Sequence, residues 1–189
     1  MKIAIIGTGG VGGYFGAKLV KAGFDVTFLA RGEHLKALQN EGLKVNSIQG
    51  DFEVREFRAT DQLSDIGSPD LTMVCVKAWQ VRELREDLKR IAKSGSLILP
   101  LQNGVMAVDE LSETIDRENI IGGLCRIISK IEAPGVINHL GVNPTIIFGE
   151  VDGRKSQRVN EIHQAFTKAG IESKVTDDIP AELWKKFMV

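Results

Sequence analysis

Short runs of largely apolar residues set the frame of the chain. Ile3-Ala4-Ile5-Ile6, Val26-Thr27-Phe28-Leu29, Leu71 to Val76 and Leu97-Ile98-Leu99 do not alternate with charged residues. Such runs predict strands buried on both faces of a parallel sheet. Between them the period changes. From Val11 to Ala22 apolar residues fall at 11, 15, 19 and 20, and from Val81 to Ala92 at 81, 84, 88, 91 and 92. That spacing gathers them on one helix face. Gly23 then stops the first helix as a C-cap. Strand, glycine turn, helix, glycine and strand make a βαβ unit with a right-handed crossover.

Further along, His34 to Gln39 predicts a short helix. Leu43-Lys44-Val45 and Phe52-Glu53-Val54 flank Gln49-Gly50-Asp51 and read as a small hairpin. Val105 to Ile115 and Arg158 to Ala169 are helical, the second closed by Gly170. Ile120-Ile121 opens another strand. Pro134-Gly135 and Gly141 to Pro144 read as turns around Val136 to His139, and Thr145 to Phe148 and Ile171 to Val175 as strands. The alternation predicts an α/β fold with a doubly wound, mostly parallel sheet. Thr176 to Pro180 is the one boundary candidate. Residues 1–176 are then one domain. Residues 177–189 are a linker and the first helix of a further, helical domain, with Pro180 in the first helical turn. Trp184, Phe187, Met188 and Val189 leave an apolar end that calls for a cover, and self-association is expected.

Composition narrows the function without choosing it. The 189 residues carry 24 Lys+Arg against 25 Asp+Glu, a formal net charge of −1. No basic field supports nucleic-acid binding. The opening apolar run breaks at Gly7, too early for a signal segment or a membrane span. Cys75 and Cys125 lie in apolar runs without metal-pair spacing, which fits core positions and a reduced, cytoplasmic setting. His34, His139 and His163 are scattered and read as a surface, a turn and a helix-surface residue. Hydrolase-elbow, zincin and Walker A patterns are absent.

The chemistry gathers at strand ends. Gly7-Thr8-Gly9-Gly10-Val11-Gly12 fits G-x-G-x-x-G and stands between a strand and a helix. In that setting Gly7 allows the turn, Gly9 the approach of a pyrophosphate, and Gly12 close packing of helix on sheet. The helix N-terminus offers N–H groups to the phosphates. After the second strand, Arg31 stands where an NAD site would carry an acid for the ribose 2′-hydroxyl. A guanidinium suits a 2′-phosphate, so NADP(H) is favoured over NAD, with Glu33 as a rival ribose acceptor. Lys77 and Asn103 follow the next two strands, where ligands of open α/β sheets sit. Lys77 reads equally as a solvated lysine starting a helix, and Asn103 as a structural Asn-Gly turn.

Lys77-Ala78-Trp79-Gln80, Gln102-Asn103-Gly104, Glu132-Ala133-Pro134-Gly135 and Ala181-Glu182-Leu183-Trp184-Lys185-Lys186 follow the glycine loop and Arg31 in this order. Over its whole length the chain resembles the ketopantoate reductase (2-dehydropantoate 2-reductase) family. The resemblance implies an N-terminal Rossmann domain followed by a helical domain. It also implies NADPH-dependent reduction of 2-dehydropantoate to (R)-pantoate, in pantothenate and coenzyme A synthesis. It assigns the pyrophosphate to the glycine loop and the 2′-phosphate to Arg31. Lys77 and Asn103 fall on cofactor-contacting positions, Asn103 facing the substrate too. Ser129 falls where the family often has alanine beside the cofactor, so it would act through its backbone. Lys186 matches the proton donor that also binds substrate. Helix phase alone does not choose between Lys185 and Lys186. The family's asparagine four residues beyond that lysine falls past Val189. The expectation is therefore a complete cofactor site and an incomplete active site. Two alternatives stay open: an NADP(H)-binding module without turnover, and a reductase of another branched 2-oxo acid.

Overall fold

The computed structural model describes residues 1–188. The chain runs through β1 (Lys2–Ile6), α1 (Gly10–Lys21), β2 (Asp25–Leu29), α2 (Gly32–Asn40), β3 (Leu43–Ser47), β4 (Phe52–Val54), β5 (Arg58–Thr60) and β6 (Leu71–Val74). It continues through α3 (Val81–Lys93), β7 (Leu97–Pro100), α4 (Ala107–Ser112), β8 (Ile121–Ala133), β9 (Val136–Glu150), α5 (Gln157–Lys168), β10 (Glu172–Val175) and α6 (Ile179–Phe187). The first five-stranded sheet has the order β5-β2-β1-β6-β7 and is parallel throughout. Successive residues of β1 feed opposite faces, as a pleated strand requires. Ile3 and Ile5 enter a core shared with α1 and α5. Ala4 and Ile6 enter one shared with α3 and α4. The expected doubly wound layering is thus present, with helices on both faces.

A second sheet is built on β9. This 15-residue strand pairs antiparallel with β8. Its other edge carries β3 at one end, through Val136 to His139, and β10 at the other, through Thr145 to Phe148, both parallel. An isolated bridge between Ile98 and Ile120 links the two sheets.

Helix α1 is packed from both sheets, and eight of its residues are buried. Its glycines make this possible. A Cβ on Gly12 would stand 2.2 Å from the Gly7 carbonyl oxygen, and one on Gly16 2.3 Å from the Phe28 ring. On another face, Cβ atoms on Gly10 and Gly13 would stand 2.3 Å from the Ser129 carbonyl oxygen and 2.6 Å from Ile137. Positions four apart, 12 and 16, thus meet the parallel sheet, and positions three apart, 10 and 13, meet β8 and β9. The close approach lets Tyr14, Phe15 and Leu19 be fully buried, each stabilising by roughly 1.5–3 kcal/mol.

The segments read as a turn at Gly141 to Pro144 and as separate strands on either side form the single strand β9. Gly141, at φ +76°, starts a bulge: the ladder with β8 passes from Leu140 opposite Ile128 to Thr145 opposite Arg126, and residues 141–144 stand out of it. The helix expected over 105–115 is confined to α4, and the strand expected to reach Val76 ends at Val74. Strand β5 was not expected. It is three residues long and mostly polar, and only its parallel pairing with Thr27 to Leu29 makes it a strand. Pro180 does sit in the first turn of α6, where the Asp178 side chain accepts from the Ala181 N–H (3.0 Å). Ile179 and Leu183 seat α6 on Leu124 and Ile147 of β8 and β9. Trp184, Phe187 and Met188 remain exposed. Among the described residues no helix is long and apolar enough to cross a membrane.

Replacing Gly16 by Ala tests the packing. In an open helix alanine would gain about 1 kcal/mol over glycine. Here overpacking against Phe28 outweighs that gain, costing about 1–3 kcal/mol. Urea unfolding is expected to show a lower midpoint for G16A. A midpoint at or above the wild-type value would contradict the close approach.

Candidate functional site

A cleft of about 330 Å³ opens at the carboxyl ends of β1, β2 and β6. Its walls are the glycine loop at Gly7 to Gly9, the segment Leu29 to Arg31, and Cys75 to Lys77. Gly7 has φ +99°, which permits the sharp exit from β1. Thr8 pins the loop to β2. Its N–H and its hydroxyl both donate to the Leu29 carbonyl, at 3.1 and 2.9 Å. Gly9 caps α1 with no side-chain hydrogen bond, and the Gly13 N–H donates to its carbonyl at 2.7 Å. Helix geometry therefore leaves the N–H groups of Gly10, Val11 and Gly12 without helical partners. The first turn holds no acid. A Cβ on Gly9 would meet nothing within 4 Å, so the backbone here faces open space. A cradle of N–H groups at a positive helix end, open to an anion, fits the diphosphate of a dinucleotide.

Arg31 is exposed at the cleft wall, in extended backbone just before α2. Glu33, the rival ribose acceptor, pairs instead with Lys36 at 2.7 Å and is not part of the wall. Lys77 lines the cleft with its side chain exposed, and its backbone N–H donates to Gln80 Oε1 at 3.1 Å. Ser129 does not line it. Its carbonyl presses on Gly10, and its buried hydroxyl has no partner. Ile131, two residues on, reaches the wall in its place. His34 lines the cleft as well, against the surface position expected for it. His139 is fully buried, between the Ser47 hydroxyl (2.8 Å) and the Val142 carbonyl (3.0 Å).

Two of the site residues meet away from this wall. Helix α6 carries Lys186 to Asn103, 83 residues earlier in the chain. The ammonium donates to Asn103 Oδ1 at 2.8 Å and to the Cys125 carbonyl at 2.6 Å. Lys185 instead reaches Glu182 at 3.4 Å on the exposed side, so of the two lysines it is Lys186 that lies beside Asn103. An ammonium has three N–H donors, so one of Lys186 is left for an incoming acceptor. Burial, reinforced by the Arg126 charge, holds Lys186 below the usual lysine range. Burial also pushes the Cys75 thiol well up and the Cys125 thiol to about 11, so neither is an activated nucleophile. Among the described residues, no group of three or more His, Cys, Asp or Glu is placed to hold a metal.

A doubly wound parallel sheet with a glycine loop between its first strand and first helix is the architecture of dinucleotide-binding domains. The comparison with known families narrows this. The chain belongs to the ketopantoate reductase PanE/ApbA family, whose profile matches residues 3–153. It is 35% identical over 191 residues to the 2-dehydropantoate 2-reductase of Nostoc sp., covering 99% of this chain and 60% of that one. The crystal structure of 2-dehydropantoate 2-reductase from Geobacter metallireducens superposes with a TM-score of 0.92 at 36% identity, covering 98% of this chain and 61% of that one. The ternary structure of D-mandelate dehydrogenase with NADH and anilino(oxo)acetate shares the fold, with a TM-score of 0.87 at 24% identity and coverage of 98% and 60%. The chain spans 60–63% of the length of the curated relatives it matches.

Titration of ¹³Cε-labelled lysines checks the environment of Lys186. One resonance, missing from Lys186→Met, is expected to titrate below the ordinary lysine value of about 10.4. Asn103→Ala removes an acceptor from the ammonium and is expected to lower it further. Lys186 titrating with the exposed lysines would contradict the buried, doubly bonded ammonium.

Proposed function

We propose that the chain is the cofactor-holding part of an NADPH-dependent reductase that converts 2-dehydropantoate to (R)-pantoate, in the synthesis of pantothenate and coenzyme A in the cytoplasm. Residues 1–176 form the NADP-binding domain, and 177–189 lead into a helical domain. The reading rests above all on the 2.8 Å hydrogen bond between Lys186 and Asn103, because it joins a half-buried ammonium to the end of a parallel-sheet strand, where ligands gather. The N–H groups of Gly10, Val11 and Gly12 would hold the diphosphate, and Arg31 would meet the 2′-phosphate. Lys77 adds positive charge at the cleft wall.

When bound, NADPH supplies the hydride that adds to the ketone carbon of the substrate. The chain supplies the proton. Negative charge grows on the ketone oxygen, and the free N–H of Lys186 is the donor that stabilises it and then protonates it. Asn103 and the Cys125 carbonyl fix the ammonium, so its third donor is oriented before substrate arrives. A lysine held below its usual range is a better acid near neutrality. It must be charged to act, so turnover falls as pH rises through its lowered pKa.

A second reading has its own support. The chain spans 60–61% of the length of these relatives, and the reading is an NADP(H)-binding module without turnover. The substrate of the whole protein can also be another branched 2-oxo acid.

Fluorescence titration with NADPH and NADH separates cofactor choice. NADPH is expected to bind at least about tenfold more tightly, a gap that Arg31→Ala removes by weakening NADPH alone. Equal binding of the two by the wild type would contradict the role of Arg31. With 2-dehydropantoate, Lys186→Ala in the protein carrying this segment is expected to lower kcat by about 10²–10⁴-fold. Undiminished turnover would remove Lys186 from the chemistry.

A further inference from the structure

Strand β7 ends at Pro100, which lies opposite Val74 of β6 and has no N–H to give to the ladder. Two groups take over where the strand stops. The Leu101 N–H and the Gln102 side-chain amide both donate to the Val74 carbonyl, at 2.9 and 2.7 Å. A carbonyl only accepts, so the amide nitrogen of Gln102 must face it and Oε1 must point elsewhere. Gln102 is 5% exposed, and its buried Oε1 has no hydrogen-bond partner. A buried acceptor without a partner lowers stability, and an apolar side chain of the same volume would avoid that cost. The Val74 carbonyl would still keep the Leu101 N–H. Folding alone therefore does not account for an amide at this position.

The next residue is Asn103, exposed, whose Oδ1 accepts from the Lys186 ammonium. Gly104 follows at φ +105° with open space around it, Val105 is only partly buried, and α4 does not begin until Ala107. The backbone of Asn103 is thus anchored chiefly from its N-terminal side, by Leu101 and Gln102.

We propose that Gln102 is a positioning residue: its amide, bonded to the end of β6, fixes the chain at Asn103 so that Oδ1 of Asn103 meets the Lys186 ammonium. The assignment rests on the reading of Lys186 as the proton donor and deepens it. Gln102 is buried and its neighbour exposed, so fixing one side chain sets the direction of the other. The amide reaches to β6, the strand that runs on to Cys75 and Lys77 of the cleft wall. One hydrogen bond thus ties that wall to the loop that meets α6. Without it the loop is free to pivot about Leu101, and Lys186 keeps only the Cys125 carbonyl. A misplacement of about 1 Å suffices to cost turnover on the order of 10²-fold.

Gln102→Met keeps the volume and removes both the donor and the unpartnered oxygen. Thermal unfolding of the 189-residue chain is expected to give a midpoint equal to that of the wild type or higher. Two resonances report position. The Asn103 side-chain amide, identified by its loss in Asn103→Ala, is expected to lose order, read as a fall in its ¹⁵N heteronuclear NOE. The Lys186 ¹³Cε resonance is expected to titrate below its wild-type value, the direction of Asn103→Ala, because the ammonium has lost an acceptor. Gln102→Glu supplies the rescue. Burial raises its carboxyl above the usual range, and while neutral it offers an O–H to the Val74 carbonyl. Asn103 is then expected to be ordered at low pH and mobile once the carboxyl ionises, a dependence that the wild type lacks. In Gln102→Met, an Asn103 amide as ordered as in the wild type, an unmoved Lys186 or a lower unfolding midpoint would each overturn the proposal. So would an Asn103 amide in Gln102→Glu that does not respond to pH. If wild-type Lys186 titrates with the exposed lysines, the proton-donor reading falls together with it. If wild-type Lys186 titrates low and Gln102→Met leaves it there, only the role of Gln102 falls.

Discussion

The contact of α1 with two sheets at once is the constraint on which the rest of the molecule depends. A helix with side chains at positions 10, 12, 13 and 16 could not come so near. Each missing Cβ would fall within 2.2–2.6 Å of an atom on a different strand or loop. Close packing of this kind tolerates little added volume. The same approach sets the first turn of α1 beside the end of β1 and aims its unpaired N–H groups at the cleft. The glycines that make the core possible are thus the ones that make the anion cradle.

From that constraint the site follows in steps. Thr8 fastens the loop to the carbonyl of Leu29, so the end of β2 and Arg31 share a wall with the loop. Strand β8 crosses above Gly10 with its carbonyl at Ser129, and its earlier residues carry the floor on which Ile179 and Leu183 seat α6. Only with α6 seated does Lys186 reach Asn103 and Cys125. The half-buried ammonium is costly to desolvate, and two oxygen acceptors offset that cost. A charge held in this way keeps one N–H donor oriented and unspent.

Much of this was legible in the residues. The buried strands β1, β2, β6 and β7 show as largely apolar runs, and α1 and α3 as helical periods, because both signals are local in the chain. The glycine loop was readable because its spacing reflects the one turn of chain between β1 and α1. What stayed hidden depends on distant partners. Strand β5 has no pattern of its own, and the bulge of β9 at Gly141 to Pro144 looks like a turn until the pairing with β8 on either side of it is seen. Lys186 could not be chosen over Lys185 by phase, since the decision lies with an acceptor 83 residues away. His34 looked like a surface residue because its partner, Gly135, is 101 residues distant.

The glycine approach brings backbone N–H groups together as an anion cradle, which we propose Arg31 completes as a 2′-phosphate site. Amide spectra of ¹⁵N-labelled protein, recorded as NADP⁺ is added, test it most directly. The largest shifts are expected at Gly9, Gly10, Val11 and Gly12 and at Arg31, saturating together. Shifts that saturate elsewhere on the surface while the amides of the loop and α1 stay in place would contradict it.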